Sequence, residues 1–384
     1  MKLEHIVIAM DSFKGSLSSM EAGRAAAAAC RDLLPAARID VFPLADGGEG
    51  TVDALVEGLR GEIVPASVTG PLGAPVKSRY GLLPGTETAV IEMADASGLT
   101  LVPPSRRNPL HTTTYGLGEL ILLALARGCR DFIIGIGGSA TNDCGIGMLT
   151  ALGWRFFKAD GSPCGHCGED LADVAAIDGR GADPRLRDCR FRIACDVTNP
   201  LCGPVGCSAV FGPQKGATPE IAAAMDHSIH HFATLAEAAQ QRRGMDLPGA
   251  GAAGGLGFAF HTFLGGALLP GGALCLDAIG IRGALEEADL LITGEGRLDR
   301  QTAMGKGPAA LAHLAHQRSG HIRTVAVCGC ALPDAEAVNA RGIDAYFPIL
   351  HLPMRVEEAM APETARQNLR QTITQVIRLL RSAD

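Results

Sequence analysis

The sequence predicts an α/β protein with two domains, and three observations lead to this prediction. The chain has 384 residues, whereas a single hydrophobic core stops growing at roughly 250 to 300 residues. Both ends of the chain repeat a unit made of an apolar strand, a polar loop and a helix. From about Gly70 the pattern changes to short alternating strands separated by glycine and proline turns, so we expect a second domain to begin there.

The first strand-loop-helix unit contains the apolar segment IVIAM, the loop DSFKGS and an alanine-rich helix that Pro35 terminates. Ser18 and Glu21 have the S-x-x-E spacing of a capping box at the start of this helix. The unit repeats with the segment IDVFPL, the loop ADGGEG and a helix that ends before Gly61. Two such units in succession predict parallel strands.

The second domain is expected to open with antiparallel strands in PVKSRYGLL and TAVIEMA. A helix that ends near Gly128 then precedes the buried strand FIIGIG, and the strand FRIACDV follows further along. The strand-loop-helix pattern returns with DLLITGEGRLD and the strand TVAVCG. The final helix is expected to dock on a core through one apolar face, formed by Leu369, Ile373, Val376, Ile377 and Leu380.

Composition argues against several classes of partner. The formal net charge of −7 provides no basic field for nucleic acid or an anionic membrane, and the 4% aromatic content provides few surfaces for stacking bases. No segment approaches the roughly 20 apolar residues of a membrane-spanning helix. With no visible export signal and twelve cysteines, we expect a cytoplasmic protein without disulfides that binds a small molecule.

Four glycine-rich loops that follow apolar strands carry the candidate chemistry. In α/β proteins such loops lie at the carboxyl edge of a sheet, where ligands bind. Their glycines let backbone N–H groups approach an anion, and their carboxylates can hold Mg²⁺ or accept a proton, which suits phosphoryl transfer. Each loop alone could equally be a turn that caps the next helix. The four loops are DSFKGS (Asp11 to Ser16), ADGGEGT (Ala45 to Thr51), GIGGSATND (Gly135 to Asp143) and TGEGRLD (Thr293 to Asp299).

Three further segments contain residues suited to the same chemistry. Asp196 ends an apolar strand in CDVTNPL, Lys215 lies between glycines in FGPQKGAT, and Gly249 to Gly257 form a glycine-rich loop. That lysine is either an anion clamp or a solvated side chain. The Walker A motif is not matched, because Lys306 is followed by glycine rather than by serine or threonine. Any nucleotide is therefore held in another way.

Two rival patterns fit the sequence less well. Gly135, Gly137 and Ala140 match the dinucleotide-binding fingerprint of a dehydrogenase. The acidic residue at the required distance, Asp160, lies in a turn-like segment instead of at the end of a strand. The segment CGHC, from Cys164 to Cys167, has the spacing of a disulfide oxidoreductase but follows a turn, which favours an incidental loop.

Seven ordered segments give the chain a specific resemblance to a known family. They are DSFKGS, ADGGEGT, EMADASGL, IGIGGSATND, FGPQKGA, GAAGGLG and ITGEGRLDRQT. With these segments in this order, the chain closely resembles the bacterial glycerate kinase family of the GarK/GlxK type, from the first strand to the last helix. The resemblance implies ATP-dependent phosphorylation of D-glycerate to 2-phosphoglycerate, with Mg²⁺.

The same resemblance implies two different α/β domains. One is a flavodoxin-like parallel-sheet domain formed by both chain ends, residues 1–70 and 287–384. The other is an inserted mixed α/β domain, residues 71–286. This arrangement agrees with the change of pattern near Gly70 and with the return of the strand-loop-helix pattern near Asp289.

Chemical types at the predicted strand ends suggest roles for individual residues. Asp46 or Asp196 is the candidate base toward the glycerate hydroxyl. Lys14 and Lys215 are candidates to neutralise phosphate or the substrate carboxylate, and Arg297 to bind that carboxylate. The other candidates are Gly137, Gly138, Ser139, Ala140, Thr141, Asn142, Gly254, Gly255 and Gly257 for ATP, Asp11, Ser12, Lys14, Gly47 and Gly48 with Arg297 for glycerate, and Glu49, Asp143 and Glu295 for Mg²⁺.

The chain departs from the family pattern at two positions. Met10 stands where a proline is usual before DSFKGS, and Cys144 stands where a glycine commonly follows TND. A non-glycine residue resists positive φ, so the backbone at Cys144 is the less certain of the two. An NAD(P)-dependent dehydrogenase of a small hydroxy acid and a non-catalytic glycerate sensor remain as alternatives, and we expect a monomer or a homodimer.

Overall fold

The computed structural model of the protein describes residues 3–45, 47–48, 50–304 and 307–381. It contains two compact units: unit 1 comprises Met1–Asp46, Asp53–Arg60 and Gly272–Asp384, and unit 2 comprises Gly47–Val52 and Gly61–Gly271. These boundaries differ from those expected from the sequence, after residue 70 and before residue 287. Residues 62–69 pair in the sheet of unit 2. The helix Arg282–Glu287 contacts the helix Gly307–Arg318 and the strand His5–Met10, both in unit 1.

The described part of the chain forms thirteen strands and fourteen α-helices. The strands are β1 (His5–Met10), β2 (Arg38–Pro43), β3 (Glu62–Thr69), β4 (Pro75–Leu82), β5 (Thr88–Glu92), β6 (Asp131–Gly135), β7 (Arg155–Phe157), β8 (Ala176–Asp178), β9 (Arg190–Ala194), β10 (Ala267–Leu269), β11 (Leu290–Leu298), β12 (Arg323–Ala331) and β13 (Ala345–Pro348). The helices are α1 (Ser19–Leu33), α2 (Thr51–Leu59), α3 (Ala94–Ser97), α4 (Tyr115–Ala126), α5 (Ile146–Ala151), α6 (Cys207–Phe211), α7 (Pro219–Gln240), α8 (Ala252–Leu264), α9 (Gly271–Ile279), α10 (Arg282–Glu287), α11 (Arg300–Ala303), α12 (Gly307–Arg318), α13 (Val356–Ala359) and α14 (Pro362–Arg381). Among these helices, none combines the length and the hydropathy needed to cross a membrane.

Unit 1 is built on a parallel sheet of five strands in the order β13-β12-β11-β1-β2. The parallel pairing of the first two strands confirms the prediction from the repeated strand-loop-helix pattern. β1 is buried along its whole length, as expected for a strand covered on both faces of the sheet. Helix α14 contributes Leu369, Ile373, Val376 and Ile377 to the same core, which confirms the predicted apolar face of the last helix.

Unit 2 contains a mixed sheet of six strands in the order β10-β9-β6-β5-β4-β3. β4 pairs antiparallel with β3 and with β5, so the two predicted antiparallel strands are confirmed. The other pairs, from β5 through β6 and β9 to β10, are parallel. Parallel pairing brings the carboxyl ends of these four strands to one edge of the sheet. Its core includes the stacked rings of Phe132 and Phe191, whose centroids are 5.0 Å apart.

Helix α1 begins with the predicted capping box. Ser18 Oγ accepts a hydrogen bond from Glu21 N at 3.2 Å, and Glu21 Oε2 accepts one from Ser18 N at 2.9 Å. The next residue, Ser19, donates its hydroxyl to Met10 O at 2.7 Å and accepts from Leu44 N at 2.9 Å. These bonds tie the first turn of α1 to the carboxyl ends of β1 and β2, so the loop between β1 and α1 is anchored at both ends.

Replacing Ser18 tests its role as the capping residue of α1. Ser18→Ala should lower the free energy of unfolding by about 1 kcal/mol, because the backbone N–H of Glu21 loses its acceptor, Ser18 Oγ. Ser18→Asp is the matched control, since an aspartate oxygen can accept the same bond. Urea denaturation measures both variants. An equal loss in the two would contradict the capping role.

Candidate active site

Unit 1 has a cavity of about 550 Å³ at the carboxyl edge of its sheet. Its lining comes from the loop after β1, the carboxyl halves of β11 and β12, and the segment that follows β13. Parallel pairing places these strand ends side by side, which is where α/β sheets bind ligands. Five residues predicted from the sequence to contact glycerate or Mg²⁺ line this one cavity: Asp11, Ser12, Lys14, Glu295 and Arg297.

Hydrogen bonds hold the polar side of this cavity in place. Ser12 N donates to Asp11 Oδ1 at 2.7 Å, and the Thr302 hydroxyl donates to Glu295 Oε1 at 2.6 Å. The Arg297 guanidinium lies 3.3 Å from the carboxylate of Asp299. Lys14 and Arg297 are exposed, so both cations are accessible to an anion. The arrangement combines two positive groups with carboxylates in one cavity.

The other side of the cavity is apolar, and reasoning from the sequence did not find it. Ile349 and Leu350 follow β13, and Met354, Val356 and Met360 come from the next turns of the chain. These residues are called the apolar wall below. They carry no glycine or charged motif, so the only available signal was the run of large apolar residues between a predicted strand end and the last helix.

Unit 2 places a second group of predicted residues at the carboxyl edge of its own sheet. A side-chain carbon on Gly47 would lie 2.4 Å from Ala194 Cβ, and one on Gly135 would lie 2.4 Å from Gly47 O. Gly47 therefore packs directly against the ends of β6 and β9, and its φ of +84° also favours glycine. Asp196, two residues beyond β9, is exposed and accepts a hydrogen bond from Gly271 N at 2.8 Å.

The loop between β6 and α5 exposes fewer residues than the sequence predicted. Gly137 and Gly138 are exposed. The nearest atom to a side-chain carbon on Gly137 would be Gly48 Cα, at a van der Waals distance of 3.8 Å. Ala140 is buried and donates its N–H to Ser97 O. The other predicted ATP contacts in this loop, Ser139, Thr141 and Asn142, are also buried. Gly137 and Gly138 are therefore the part of this loop available to a ligand.

Lys215 is a buried residue that holds this loop. Its ammonium donates to Ser139 Oγ at 2.8 Å and to Thr141 O at 2.5 Å, and the residue is only 2% exposed. Burial lowers the pKa of Lys215 to about 8. The sequence left an anion clamp and a solvated lysine open. The structure instead supports a positioning role, because two of the three donors bind the protein itself.

Asp143 is fully buried and holds the other end of the loop. Its carboxylate accepts hydrogen bonds from the N–H and the hydroxyl of Thr114, at 2.8 and 2.7 Å, and from the N–H groups of Gly145 and Gly147. Burial raises the pKa of Asp143, and these bonds oppose the rise. A carboxylate with four donors and no exposed surface is not available to Mg²⁺. The geometry gives no support to the predicted metal role of Asp143.

The glycines of α8 pack against the same loop. Gly254 and Gly255 have φ values of +69° and +92°, and both are buried. A side chain on Gly254 would meet Thr141 O at 2.2 Å, and one on Gly255 would meet Cys144 at 2.9 Å. These glycines and the buried Gly257 therefore permit close backbone packing, and they do not expose N–H groups to ATP phosphates as predicted.

Cys144, which stands where a glycine is common in the family, adopts a left-handed backbone conformation. Its φ is +48°, a left-handed value that favours glycine over residues with a Cβ. Its N–H donates to Gly254 O at 2.9 Å. The tight packing of the loop against α8 thus holds a non-glycine residue in this region.

Glu92, at the end of β5, is a buried acidic residue that the sequence reasoning did not single out. It is buried, and its carboxylate accepts hydrogen bonds from Val52 N at 2.7 Å and Gly50 N at 3.3 Å. These donors lie at the start of α2, so Glu92 holds the end of the ADGGEGT segment against the sheet of unit 2. Its place in EMADASGL, directly after an apolar strand, was the available signal.

The described residues include few candidates for a Mg²⁺ site. Asp46 and Glu49, two of the predicted functional residues, lie outside the described residues. Within the described residues, no group of three or more histidine, cysteine or acidic side chains has the arrangement of a metal site. Mg²⁺ at phosphate-transfer sites commonly uses one or two carboxylates together with substrate phosphates. Glu295 is a candidate for such a ligand, since it lines the same cavity of unit 1 as Asp11 and Asp299.

Neither rival pattern gains support from the structure. Ten residues, 136–145, separate β6 from α5, so the glycines do not open a helix as a dinucleotide-binding fingerprint requires. Asp160 is exposed in a turn and accepts from Ser162 N at 2.9 Å. All twelve cysteines are free thiols, and burial raises the pKa of Cys167 to about 12. That thiol is therefore a poor nucleophile.

The two strand edges have the features of an α/β small-molecule kinase: exposed glycine-rich backbone, accessible cations and carboxylates at the ends of parallel strands. The model of the glycerate kinase family matches residues 6–381. The chain therefore belongs to the glycerate kinase family.

Individual relatives agree with this assignment. The chain is 46% identical to the glycerate kinase of Haemophilus influenzae, over 97% of this chain and 98% of that protein. It is 48% identical to the glycerate kinase of Bacillus subtilis and 45% identical to the glycerate 2-kinase of Escherichia coli, each over 92% of both chains. The crystal structure of a Salmonella typhimurium LT2 protein assigned as glycerate kinase 2 superposes with a TM-score of 0.92 at 44% identity, over 100% of this chain and 99% of that chain.

The pH dependence of stability tests the burial of Glu92. Burial raises its pKa from 4.5 to about 7, and the bonds from Val52 and Gly50 oppose the shift. The folded state then binds this proton more tightly than the unfolded state, so stability falls as pH rises from about 4.5 through 7.

Relative to Glu92→Gln, the free energy of unfolding of the wild-type protein should fall by up to ~3 kcal/mol between pH 5 and pH 8. The glutamine variant keeps an acceptor oxygen and lacks the titration, so it serves as the control. Urea denaturation of both proteins across this range provides the measurement. Parallel curves for the two proteins would contradict the shifted titration.

A second substitution tests the positioning role of Lys215. Lys215→Met has a similar length but cannot donate to Ser139 or Thr141, so the loop should shift. Misplacing a loop by about 1 Å costs on the order of 10²-fold in kcat/KM. Steady-state kinetics measures this loss, and circular dichroism checks that the variant is folded. A folded variant with kcat/KM within a few-fold of wild type would refute the role.

Proposed function

We propose that the chain catalyses ATP-dependent phosphorylation of D-glycerate to 2-phosphoglycerate, with ADP as the second product. The observation that carries the proposal is the 45% identity to a glycerate 2-kinase over 92% of both chains. The accessible cations of unit 1 and the exposed glycines of unit 2 suit an anionic donor and an anionic acceptor.

In the proposed reaction, the oxygen of the 2-hydroxyl attacks the terminal phosphorus of ATP while the bond to ADP breaks. The hydroxyl proton passes to a carboxylate base. Asp196 is our choice among the described residues, because it is exposed at the end of β9. Asp46, outside the described residues, stays the other prediction. Lys14 and Arg297 would neutralise phosphate or carboxylate charge.

Mg²⁺ would be held by Glu295 with help from Asp11 or Asp299, and it would neutralise charge on the phosphates when bound. The backbone N–H groups of Gly137 and Gly138 would contact an anionic group. Lys215 would act through the loop that it holds, without contact to the substrate.

The proposal needs two small-molecule ligands and neither nucleic acid nor a membrane. We place the activity in the cytoplasm, because twelve free thiols suit a reducing compartment. A monomer or a homodimer stays a prediction. The fingerprint match that suggested a dehydrogenase is not followed directly by a helix, because residues 136–145 separate β6 from α5. No feature of the described residues favours a glycerate sensor.

Product identification is the direct test. After incubation with D-glycerate, ATP and Mg²⁺, ³¹P NMR should show 2-phosphoglycerate and ADP in equal amounts. A 3-phosphoglycerate signal would refute the proposed position of transfer. ATP consumption without any phosphoglycerate would refute the proposed acceptor.

The base assignment has its own test. Asp196→Asn should lower kcat by on the order of 10²- to 10⁴-fold, because a general base contributes about that much. Asp160→Asn is the matched control, since Asp160 is also exposed in unit 2 and also accepts a backbone N–H bond. A folded Asp196→Asn variant with kcat close to the control would exclude Asp196 as the base.

A further inference from the structure

The cavity of unit 1 is larger and more apolar than a small hydroxy acid requires. Its volume of about 550 Å³ lies within the roughly 300 to 1,000 Å³ typical of sites for drug-sized ligands. Glycerate carries oxygen on every carbon, so contact with an apolar wall would leave its hydroxyl groups without hydrogen-bond partners. A larger ligand that is partly apolar fits the cavity better.

The apolar wall has unusual exposure for large side chains. Leu350 is 42% exposed, Val356 67% and Met360 38%, and all three line the cavity. Large apolar side chains grouped at a cavity mark a surface that a ligand covers. Methionine is unbranched and polarizable, so Met354 and Met360 can adapt to a flat ring.

The polar side of the same cavity has the opposite character. The side chains of Lys14 and Arg297 are exposed there, and Ser12 and Asp11 lie on the loop after β1. A ligand that matches both sides has a flat, weakly polar ring system at one end and an anionic group at the other. A nucleoside polyphosphate has this chemistry.

We propose that the cavity of unit 1 binds the phosphoryl donor, a purine nucleoside triphosphate, with its base against the apolar wall and its phosphates toward Lys14 and Arg297. This inference rests on the proposed function, which makes that donor ATP. In this inference the donor occupies the cavity lined by Asp11, Ser12, Lys14 and Arg297, which the sequence analysis assigned to glycerate. The other predicted glycerate residues, Gly47 and Gly48, lie in unit 2 at the edge that carries Asp196, and the acceptor binds there.

Two matched substitutions test the base contact. Val356→Asn removes apolar surface from the wall, whereas Leu352→Asn changes a residue of nearly equal exposure, 69%, that does not line the cavity. Both positions are on the surface, so neither change threatens the core. Calorimetric titration with ADP and Mg²⁺ in the absence of glycerate gives the affinity, and inorganic tripolyphosphate is the probe without a base.

Val356→Asn should weaken ADP binding by about tenfold, as expected for lost burial of an apolar side chain, and should leave tripolyphosphate binding unchanged. The KM for ATP should rise, and the KM for glycerate should not. Leu352→Asn should behave as wild type. Met360→Gln, a second change in the wall, should repeat the effect of Val356→Asn.

Unchanged ADP affinity in both wall variants, or a rise in the KM for glycerate instead of ATP, would overturn the inference. So would an equal effect of Leu352→Asn. These outcomes are separable from failure of the proposed function. A wild-type protein that forms phosphoglycerate while the wall variants bind ADP normally refutes this inference alone. A protein that binds ADP through the wall and forms no phosphoglycerate refutes the proposed acceptor alone.

Discussion

The parallel pairing of β1 with β11 is the interaction on which unit 1 depends. It joins two distant parts of the chain, with Ile6 opposite Leu290. The carboxylate of Asp289 reinforces it by accepting hydrogen bonds from Glu4 N at 2.7 Å and His5 N at 2.9 Å. Because β12 and β13 extend the sheet from β11, this pairing sets the carboxyl end of β1 beside those of three other strands. The cavity exists because of that alignment.

Unit 2 meets a different requirement, which is to hold a long glycine-containing loop in one shape. It does so with two buried charged residues, Asp143 and Lys215. Burying a charge costs several kcal/mol unless hydrogen bonds compensate, and here four donors surround the carboxylate and two acceptors meet the ammonium. These buried contacts hold the loop in place, while Gly137 and Gly138 remain exposed.

Local features of both units could be predicted from the sequence. Parallel strands, the antiparallel strands β4 and β5 and the capping box of α1 follow from periodicity and spacing over a few residues. The polar side of the cavity was also found, because polar residues directly after apolar strands must lie at the strand ends. Tertiary packing decided the rest. The apolar wall depends on the position of β13 in the sheet. No local sequence pattern shows that Asp143 is buried, or that Lys215 and Gly254 pack against the loop that contains it.

The split construction of unit 1 has a consequence for synthesis. All strands of unit 2, from β3 to β10, lie in one stretch of chain and are available together once β10 has been made. β1 and β2 are made first but lack β11 until about 280 further residues have followed β1. At roughly 5 to 20 residues per second, that interval is on the order of tens of seconds. During this time the strand β1, which is fully buried in the folded protein, lacks its partner β11, and an unpaired strand edge of this kind is prone to aggregation.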